Sequence, residues 1–103
     1  MSNAERRRHP RIPLHAQVEI EWGSEILRGV ATDISQGGLF IETSDPLWVG
    51  AAFSGRVLLA DPLAVECVVR RVVPGQGMGV EFDRLSNESR QRLLQLLESF
   101  QPG

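Results

Sequence analysis

The chain has 103 residues, of which 42% are hydrophobic and 23% charged, which is enough for one domain with a buried core. No apolar run approaches the roughly 18 residues that indicate a membrane span, and no apolar stretch follows the N-terminal arginines, so we expect no membrane span, no secretion signal and a cytoplasmic location. Residues 1–11 carry a formal charge of +3 and the remainder carries −5. A body this acidic repels long polyanions, which disfavours binding to DNA or RNA polymers.

The first half of the chain has the patterns of three strands. Residues 16–22 alternate between apolar and polar side chains, which is typical of a half-buried strand. Gly23 and Ser24 then form a turn signal, and the extended run EILRGVATDIS predicts the second strand of a hairpin. The segment GLFIET predicts a third strand, which ends at the turn signals of SDP.

The second half has three more strand patterns and then changes period. SGRVLLA and AVECVVRRVV flank Asp61 and Pro62, and GMGVEF follows the loop PGQG. In SNESRQRLLQLLESF one helical face holds Leu93, Leu96, Leu97 and Phe100. Ser86 is the expected N-cap, and Glu88 pairs with Arg92. We therefore predict a mainly β fold, a six-stranded antiparallel, split β-barrel with a C-terminal α-helix.

The sequence has few groups that could carry out catalysis. The single cysteine, Cys67, lies in an alternating strand pattern that favours a buried core residue. The two histidines, His9 and His15, lie near prolines, and no spacing of metal ligands or of a nucleophile and its base is present. We therefore expect a protein that is not an enzyme and has no metal.

The stretch ERRRHPRIPL, residues 5–14, concentrates four arginines at the front of a chain whose eleven basic residues are all Arg. Prolines bias the residues before them, His9 and Ile12, toward extended conformations, so this stretch is not expected to form a helix. We predict that residues 1–13 form a flexible arm that wraps around a small anion, and that residues 14–103 form the barrel and its helix. The alternative is a solvated charge run that only maintains solubility.

The stretch DISQGG, residues 33–38, lies at the junction of the second and third predicted strands. Taken alone it is compatible with a glycine-rich turn in which Asp33 and Ser35 cap backbone groups. Together with the arginine arm it resembles the PilZ domain, the bacterial receptor module for the second messenger cyclic di-GMP. Arg7 and Arg11 match the RxxxR motif of that family, and residues 33–38 match its (D/N)xSxxG motif, in the family's order.

The resemblance extends to GLFIET, GMGVEF and the trailing helix, and therefore covers nearly the whole chain. It implies that cyclic di-GMP is the ligand and that six residues bind it: Arg6, Arg7, Arg11, Asp33, Ser35 and Gly38. Arg6 directly precedes the RxxxR motif, and in this respect the chain resembles those family members that bind a stacked dimer of the ligand.

The residue types suit this ligand chemically. A guanidinium can bond to guanine O6 and N7 together, stack on a purine or bridge a phosphate. The carboxylate of Asp33 can accept the N1 and N2 protons of guanine, and the hydroxyl of Ser35 can donate or accept beside it. Gly38 allows the backbone to approach a base without an intervening side chain.

These observations predict a cyclic di-GMP receptor whose arm closes over the ligand and changes its interaction with an unidentified downstream protein. The alternative is a PilZ-like interaction adaptor that acts without nucleotide, although such members typically lose the arginine motif that this chain keeps. Binding of a nucleic acid polymer through the arm is a third possibility, which the acidic body disfavours.

Overall fold

The computed structural model describes residues 10–100, and within this range the predicted six-stranded barrel and C-terminal helix are both present. The strands and the helix, with their bounds, are β1 (Ile12–Trp22), β2 (Glu25–Ile34), β3 (Gly38–Glu42), β4 (Ala52–Val57), β5 (Leu63–Val73), β6 (Gly77–Arg84) and α1 (Asn87–Ser99). Around the closed barrel the order is β1-β2-β3-β6-β5-β4, and every neighbouring pair is antiparallel.

The first hairpin follows the alternating pattern of its sequence. Val18 and Ile20 on β1 are each 1% exposed, whereas the alternate residues Gln17, Glu19 and Glu21 are exposed or half-buried. Gly23 has a φ of 60°, which suits a two-residue connection between antiparallel strands. β1 begins at Ile12, earlier than the alternating run, and Pro13 pairs with Asp33 of β2.

The barrel interior and one face of α1 form a single hydrophobic core. Leu93 and Leu97 of α1 are buried with the inward residues of the strands, as their helical spacing predicts. Phe100, which the same pattern placed on this face, is the C-cap and is 45% exposed, so the buried stripe ends at Leu97. The N–H of Ser89 donates to the hydroxyl of Ser86 at 3.1 Å, which confirms the predicted N-cap.

The position of α1 is set by polar contacts at its first turns. Arg92 Nη2 lies 3.4 Å from Glu88 Oε2, the predicted pair, while its Nη1 donates to the carbonyl of Pro62 at 2.9 Å. Nη1 also lies 3.0 Å from a carboxylate oxygen of Asp61. One arginine therefore ties α1 to the turn between β4 and β5. Of the helices in the described range, none has the length and apolar character needed to cross a membrane.

The end of β1 that is remote from Arg11 carries the two tryptophans. Trp22 is the last residue of β1, and Trp48 lies in the loop between β3 and β4. Their ring centroids are 5.1 Å apart, with an interplanar angle of 85°, an edge-to-face arrangement. Trp48 and Val49 are more than half exposed, so this loop covers the barrel while presenting apolar atoms to solvent.

Candidate ligand-binding groove

The segment DISQGG forms a tightly bonded turn between β2 and β3. The N–H of Ser35 donates to the carbonyl of Gly38 at 2.8 Å, and the N–H of Gly37 donates to the hydroxyl of Ser35 at 3.1 Å. The carbonyl of Gly37 accepts from the N–H of Phe82 on β6 at 2.8 Å. Ser35 is only 6% exposed, so its hydroxyl holds the turn in shape from within.

Gly38 has a structural reason to be glycine. It pairs with Glu81, and a Cβ on Gly38 would lie 2.0 Å from the carbonyl oxygen of Val80. Real Cβ atoms do not approach a carbonyl oxygen so closely, so a side chain here would push β3 away from β6. The last residue of the motif therefore sets the spacing of two strands below the candidate site.

The two motifs meet through a contact between Arg11 and Asp33. Nη1 of Arg11 donates to Oδ1 of Asp33, although 22 positions separate the two residues in sequence. The pairing of β2 with β3 shifts register between Ala31 and Asp33, so Thr32 is an extra residue, as in a β-bulge. Bulges redirect side chains, and here the shift immediately precedes the carboxylate that meets Arg11.

A second bulge lies on β5. Val69 pairs with Val80 and Arg71 pairs with Gly79, so Arg70 is an extra residue. As a result Arg70 and Arg71 are both exposed, although consecutive residues of a regular strand point to opposite faces. The bulge thus presents two adjacent guanidinium groups on one outer surface.

The two arginines have different surroundings. Arg70 Nε donates to Glu81 Oε1 at 2.6 Å. Arg71 lies across Gly79, where a Cβ added to the glycine would be 3.7 Å from Arg71 Nε, and within residues 10–100 no carboxylate lies in ion-pair range of it. Glycine at position 79 therefore leaves room beneath the Arg71 side chain.

These elements enclose an open groove of about 650 Å³. We call Arg11, Asp33, Ser35 and Gly38 the motif wall, and Arg70, Arg71, Gly79 and Glu81 the sheet wall. The residues that line the groove are Arg11, Ser35, Gly37, Gly38, Arg70, Arg71, Gly79, Val80 and Glu81. Three arginines around an exposed hollow with glycine in its floor are suited to a planar anionic ligand, because guanidinium groups both bind anions and stack on rings.

The structure brings together those predicted site residues that it describes. Arg11, Ser35 and Gly38 line the groove, and Asp33 is held at its margin by Arg11. Arg6 and Arg7 lie outside the described residues. The sheet wall was missed by the sequence reasoning, although one signal was available: two consecutive arginines interrupt the alternation of AVECVVRRVV.

Other reactive groups of the described chain lie away from the groove. Cys67 is 1% exposed, and burial, with a smaller contribution from the charge of Glu66, raises the pKa of its thiol from 9.0 to about 12. A neutral buried thiol is unreactive, as expected for a core residue. Within residues 10–100, no cluster of three or more His, Cys, Asp or Glu side chains could hold a metal ion.

The fold and the groove define a small closed β-barrel domain with an arginine-lined surface site between the β2–β3 turn and the β5–β6 pair. The chain belongs to the PilZ domain family, whose model matches residues 5–99. That match includes the arginine arm, the DISQGG turn, the barrel and α1. The family that the two motifs resemble is therefore confirmed. No curated protein sequence matches the chain.

Solved structures share the fold. The inhibitor of motility MotI/DgrA of Bacillus subtilis is 25% identical with a TM-score of 0.76, and the match covers 91% of this chain and 50% of that one. The PilZ domain of YcgR from Escherichia coli, with cyclic di-GMP, is 21% identical with a TM-score of 0.71, and the match covers 92% and 91%. The PilZ domain of CeSA from a cellulose-synthesising bacterium is 24% identical with a TM-score of 0.71, covering 86% and 95%.

The matches cover different fractions of the related chains. The chain spans about half the length of MotI/DgrA but nearly all of the isolated PilZ domains of YcgR and CeSA. The identities to YcgR and CeSA are low enough that those likenesses establish the fold alone.

Proposed function

We propose that the chain is a non-enzymatic receptor for cyclic di-GMP. One observation carries the proposal: the fold brings Arg11 of the first motif into contact with Asp33 of the second, beside a groove lined by further arginines. Membership of the PilZ family and the presence of cyclic di-GMP in the YcgR structure support it. The ligand has two phosphates and two guanines, and the groove offers donors and a planar stacking surface for both kinds of group.

The motif wall would read the guanine edge. Asp33 Oδ1 accepts from Arg11, and within residues 10–100 no hydrogen bond reaches its Oδ2. Oδ2 can accept one of the guanine N1 and N2 protons and Oδ1, which has a second lone pair, can accept the other, while Arg11 keeps the carboxylate oriented. Ser35 and Gly38 would then act by keeping the turn close against β6, and both residues line the same groove.

The arginine arm would close the site. Residues 1–11 contain four arginines and little apolar content, so the anionic and aromatic surface of the ligand must offset an ordering cost of about 1–2 kcal/mol per residue. Arg7 would bind beside Arg11, and Arg6 would stack on a second ligand molecule. Closure would create a composite surface that a downstream protein recognises in only one state.

Isothermal titration calorimetry of the 103-residue chain with cyclic di-GMP tests the proposal. We expect saturable binding with one or two ligands per chain, and weaker binding of cyclic di-AMP because adenine has no N1 proton or N2 amine for Asp33. Asp33→Ala should narrow that difference. Equal affinity for the two dinucleotides would contradict recognition of guanine by Asp33. If Arg6→Ala still binds two ligands per chain, Arg6 does not determine the stoichiometry.

The alternative function, an adaptor that acts without nucleotide, gives a different result. It requires no heat of binding with cyclic di-GMP at any concentration up to the millimolar range. A nucleic acid binder would bind long polyanions with a steep dependence on salt instead.

Closure of the arm has a separate measurement. Amide exchange of residues 6–11 should be fast in the free protein and slow at saturation, while the barrel strands change little. Exchange that is already slow without ligand, or that stays fast with it, would mean that the arm is not the switch.

A further inference from the structure

The groove contains an acid that an anion-binding site does not need. Glu81 lies on the sheet wall, and its carboxylate is 2.6 Å from Arg70 Nε. The pairing of β6 with β3 places Glu81 directly opposite Gly38, the last residue of DISQGG. The backbone on both sides is therefore fixed by strand pairing, and Glu81 lines the same groove as Arg11, Ser35 and Gly38.

The charges of the groove are partly neutralised within the described chain. Arg11 is paired with Asp33 and Arg70 with Glu81, whereas Arg71 has no acid within ion-pair distance among residues 10–100. The two acids differ in their use. The proposed guanine reading gives Asp33 a role toward the ligand, but it gives none to Glu81.

We propose that Glu81 competes with a ligand phosphate for Arg70 and thereby lowers the affinity of the site. This inference rests on the proposed function and concerns its regulation. Glu81 holds Arg70 in the free receptor, and a phosphate of the ligand must displace the carboxylate before it can bind that guanidinium. The residue thus shifts the response of the receptor to higher ligand concentrations.

The physical basis is the weakness of the exposed pair. The side chains of Arg70 and Glu81 are 61% and 54% exposed, and ion pairs with such exposure contribute little to the stability of a fold. A pair that stabilises the fold so little is easily exchanged for a phosphate, which carries a full charge and several acceptor oxygens.

Glu81 could instead support binding, and its substitution would then change the affinity in the opposite direction. If Glu81 served to orient Arg70 toward the ligand, removing its charge would release the guanidinium and weaken binding. The substitution Glu81→Gln keeps the size of the side chain and removes the charge, so the sign of the affinity change separates competition from orientation.

The experiment compares calorimetric affinities for cyclic di-GMP in four proteins: wild type, Glu81→Gln, Arg70→Gln and the double variant. Glu81→Gln frees Arg70 for the ligand and should tighten binding about three- to tenfold. In the Arg70→Gln background the same substitution should change affinity less than about twofold, since the contested guanidinium is gone. Glu21→Gln is the matched control, because it makes the same chemical change outside this groove, at the end of β1 that is remote from Arg11. It should leave affinity unchanged.

Unchanged or weaker binding by Glu81→Gln overturns the proposal, and so does an equal gain with and without Arg70. A second probe keeps these results independent of the nucleotide. Inorganic pyrophosphate, followed through the amide shifts of Gly38 and Gly79, should also bind more tightly to Glu81→Gln. If cyclic di-GMP fails to bind wild type while pyrophosphate shows this gain, the proposed function is wrong and the competition by Glu81 stands.

Discussion

The two walls of the groove are built from different kinds of sequence information. Most of the motif wall is local: Asp33, Ser35 and Gly38 lie within six positions, and hydrogen bonds inside that turn hold Ser35 and Gly38, whereas Arg11 comes from a distant part of the sequence. The sheet wall is assembled by pairing of β5 with β6, and a bulge at Arg70 turns its arginines outward. A spacing pattern identifies the first kind of wall, whereas the second becomes visible only when strand register is known.

The walls also differ in how their residues are held. On the motif wall, Ser35 and Gly38 are buried and act through backbone geometry. On the sheet wall, Arg70, Arg71 and Glu81 are exposed side chains on rigid strands. We therefore expect substitutions in the motif wall to affect both folding and binding, and substitutions in the sheet wall to affect binding alone.

The largest effect is expected at Arg11. Arg11→Ala should reduce affinity for cyclic di-GMP by about 1.5–3 kcal/mol, at least tenfold, because a charge-assisted contact is lost. Arg7→Ala should behave similarly, and Arg11→Lys should restore little because the planar fork is absent. Calorimetry measures each affinity, with Arg28→Ala, an exposed arginine outside the groove, as the matched control. Unchanged affinity in both alanine variants would falsify the assignment of these arginines.

A pair of glycines, one from each wall, compares folding directly. Gly38→Ala places a Cβ against the Val80 carbonyl and should destabilise the fold by about 1–3 kcal/mol. Gly79→Ala makes only ordinary contacts of 3.7–3.9 Å and should change stability little. Thermal unfolding followed by circular dichroism gives both values. Equal stability losses in the two variants would remove the distinction between the walls.

Arg71→Ala tests the sheet wall with a smaller effect. Because Arg71 has no acid in ion-pair range within residues 10–100, its removal should leave the melting temperature unchanged. Affinity for cyclic di-GMP should fall by about 1 kcal/mol, roughly fivefold, as one phosphate or stacking contact is lost. Wild-type affinity in this variant would mean that Arg71 does not contact the ligand.

The inner face of β5 gives a test of folding alone. The folded-state pKa of Cys67 lies near 12, above its ordinary value of 9.0, so the protein loses stability as pH rises above 9 and the unfolded thiol ionises. Between pH 8 and pH 10 the free energy of unfolding should fall by about 1 kcal/mol. The chain contains neither Lys nor Tyr, which leaves few other groups to titrate in this range.

Urea unfolding at several pH values measures this slope. Cys67→Ala should be less stable at every pH because a small cavity is left, but its stability should be flat between pH 8 and pH 10. A slope that survives in Cys67→Ala would assign the pH dependence to another group.

Much of the fold was predictable from the sequence because local patterns agree with the tertiary structure. The alternation of β1, the turn at Gly23 and the capping residue Ser86 each identify an element that the structure contains. The bounds of β4 were predicted only in part. The strand runs from Ala52 to Val57, so it begins before the predicted segment SGRVLLA and ends within it. Phe53, ahead of the predicted start, is an inward core residue. That residue follows a loop with strong turn signals, which concealed its strand character.

The site was predictable only in part. Arg11 and Asp33 were identified through motif spacing, but their direct contact depends on the register of β1 with β2 and on two irregularities near Asp33. The role of Gly38 in allowing β3 to pack closely against β6 depends on a strand more than 35 positions away. Bulges have weak sequence signals, and for this reason Arg70 and Arg71 could be seen as unusual but not placed.

The tryptophan pair gives the molecule a built-in spectroscopic reference. Trp22 and Trp48 are the only tryptophans, the chain has no tyrosine, and the pair lies up to about 36 Å along β1 from Arg11 at 3.3 Å per residue. Intrinsic emission therefore reports the edge-to-face packing at one end of the barrel. A ligand in the groove at the other end would not touch the tryptophans. Constant emission during a titration would show that the surroundings of the tryptophan pair do not change on binding, whereas a shift would reveal a rearrangement that reaches the loop between β3 and β4.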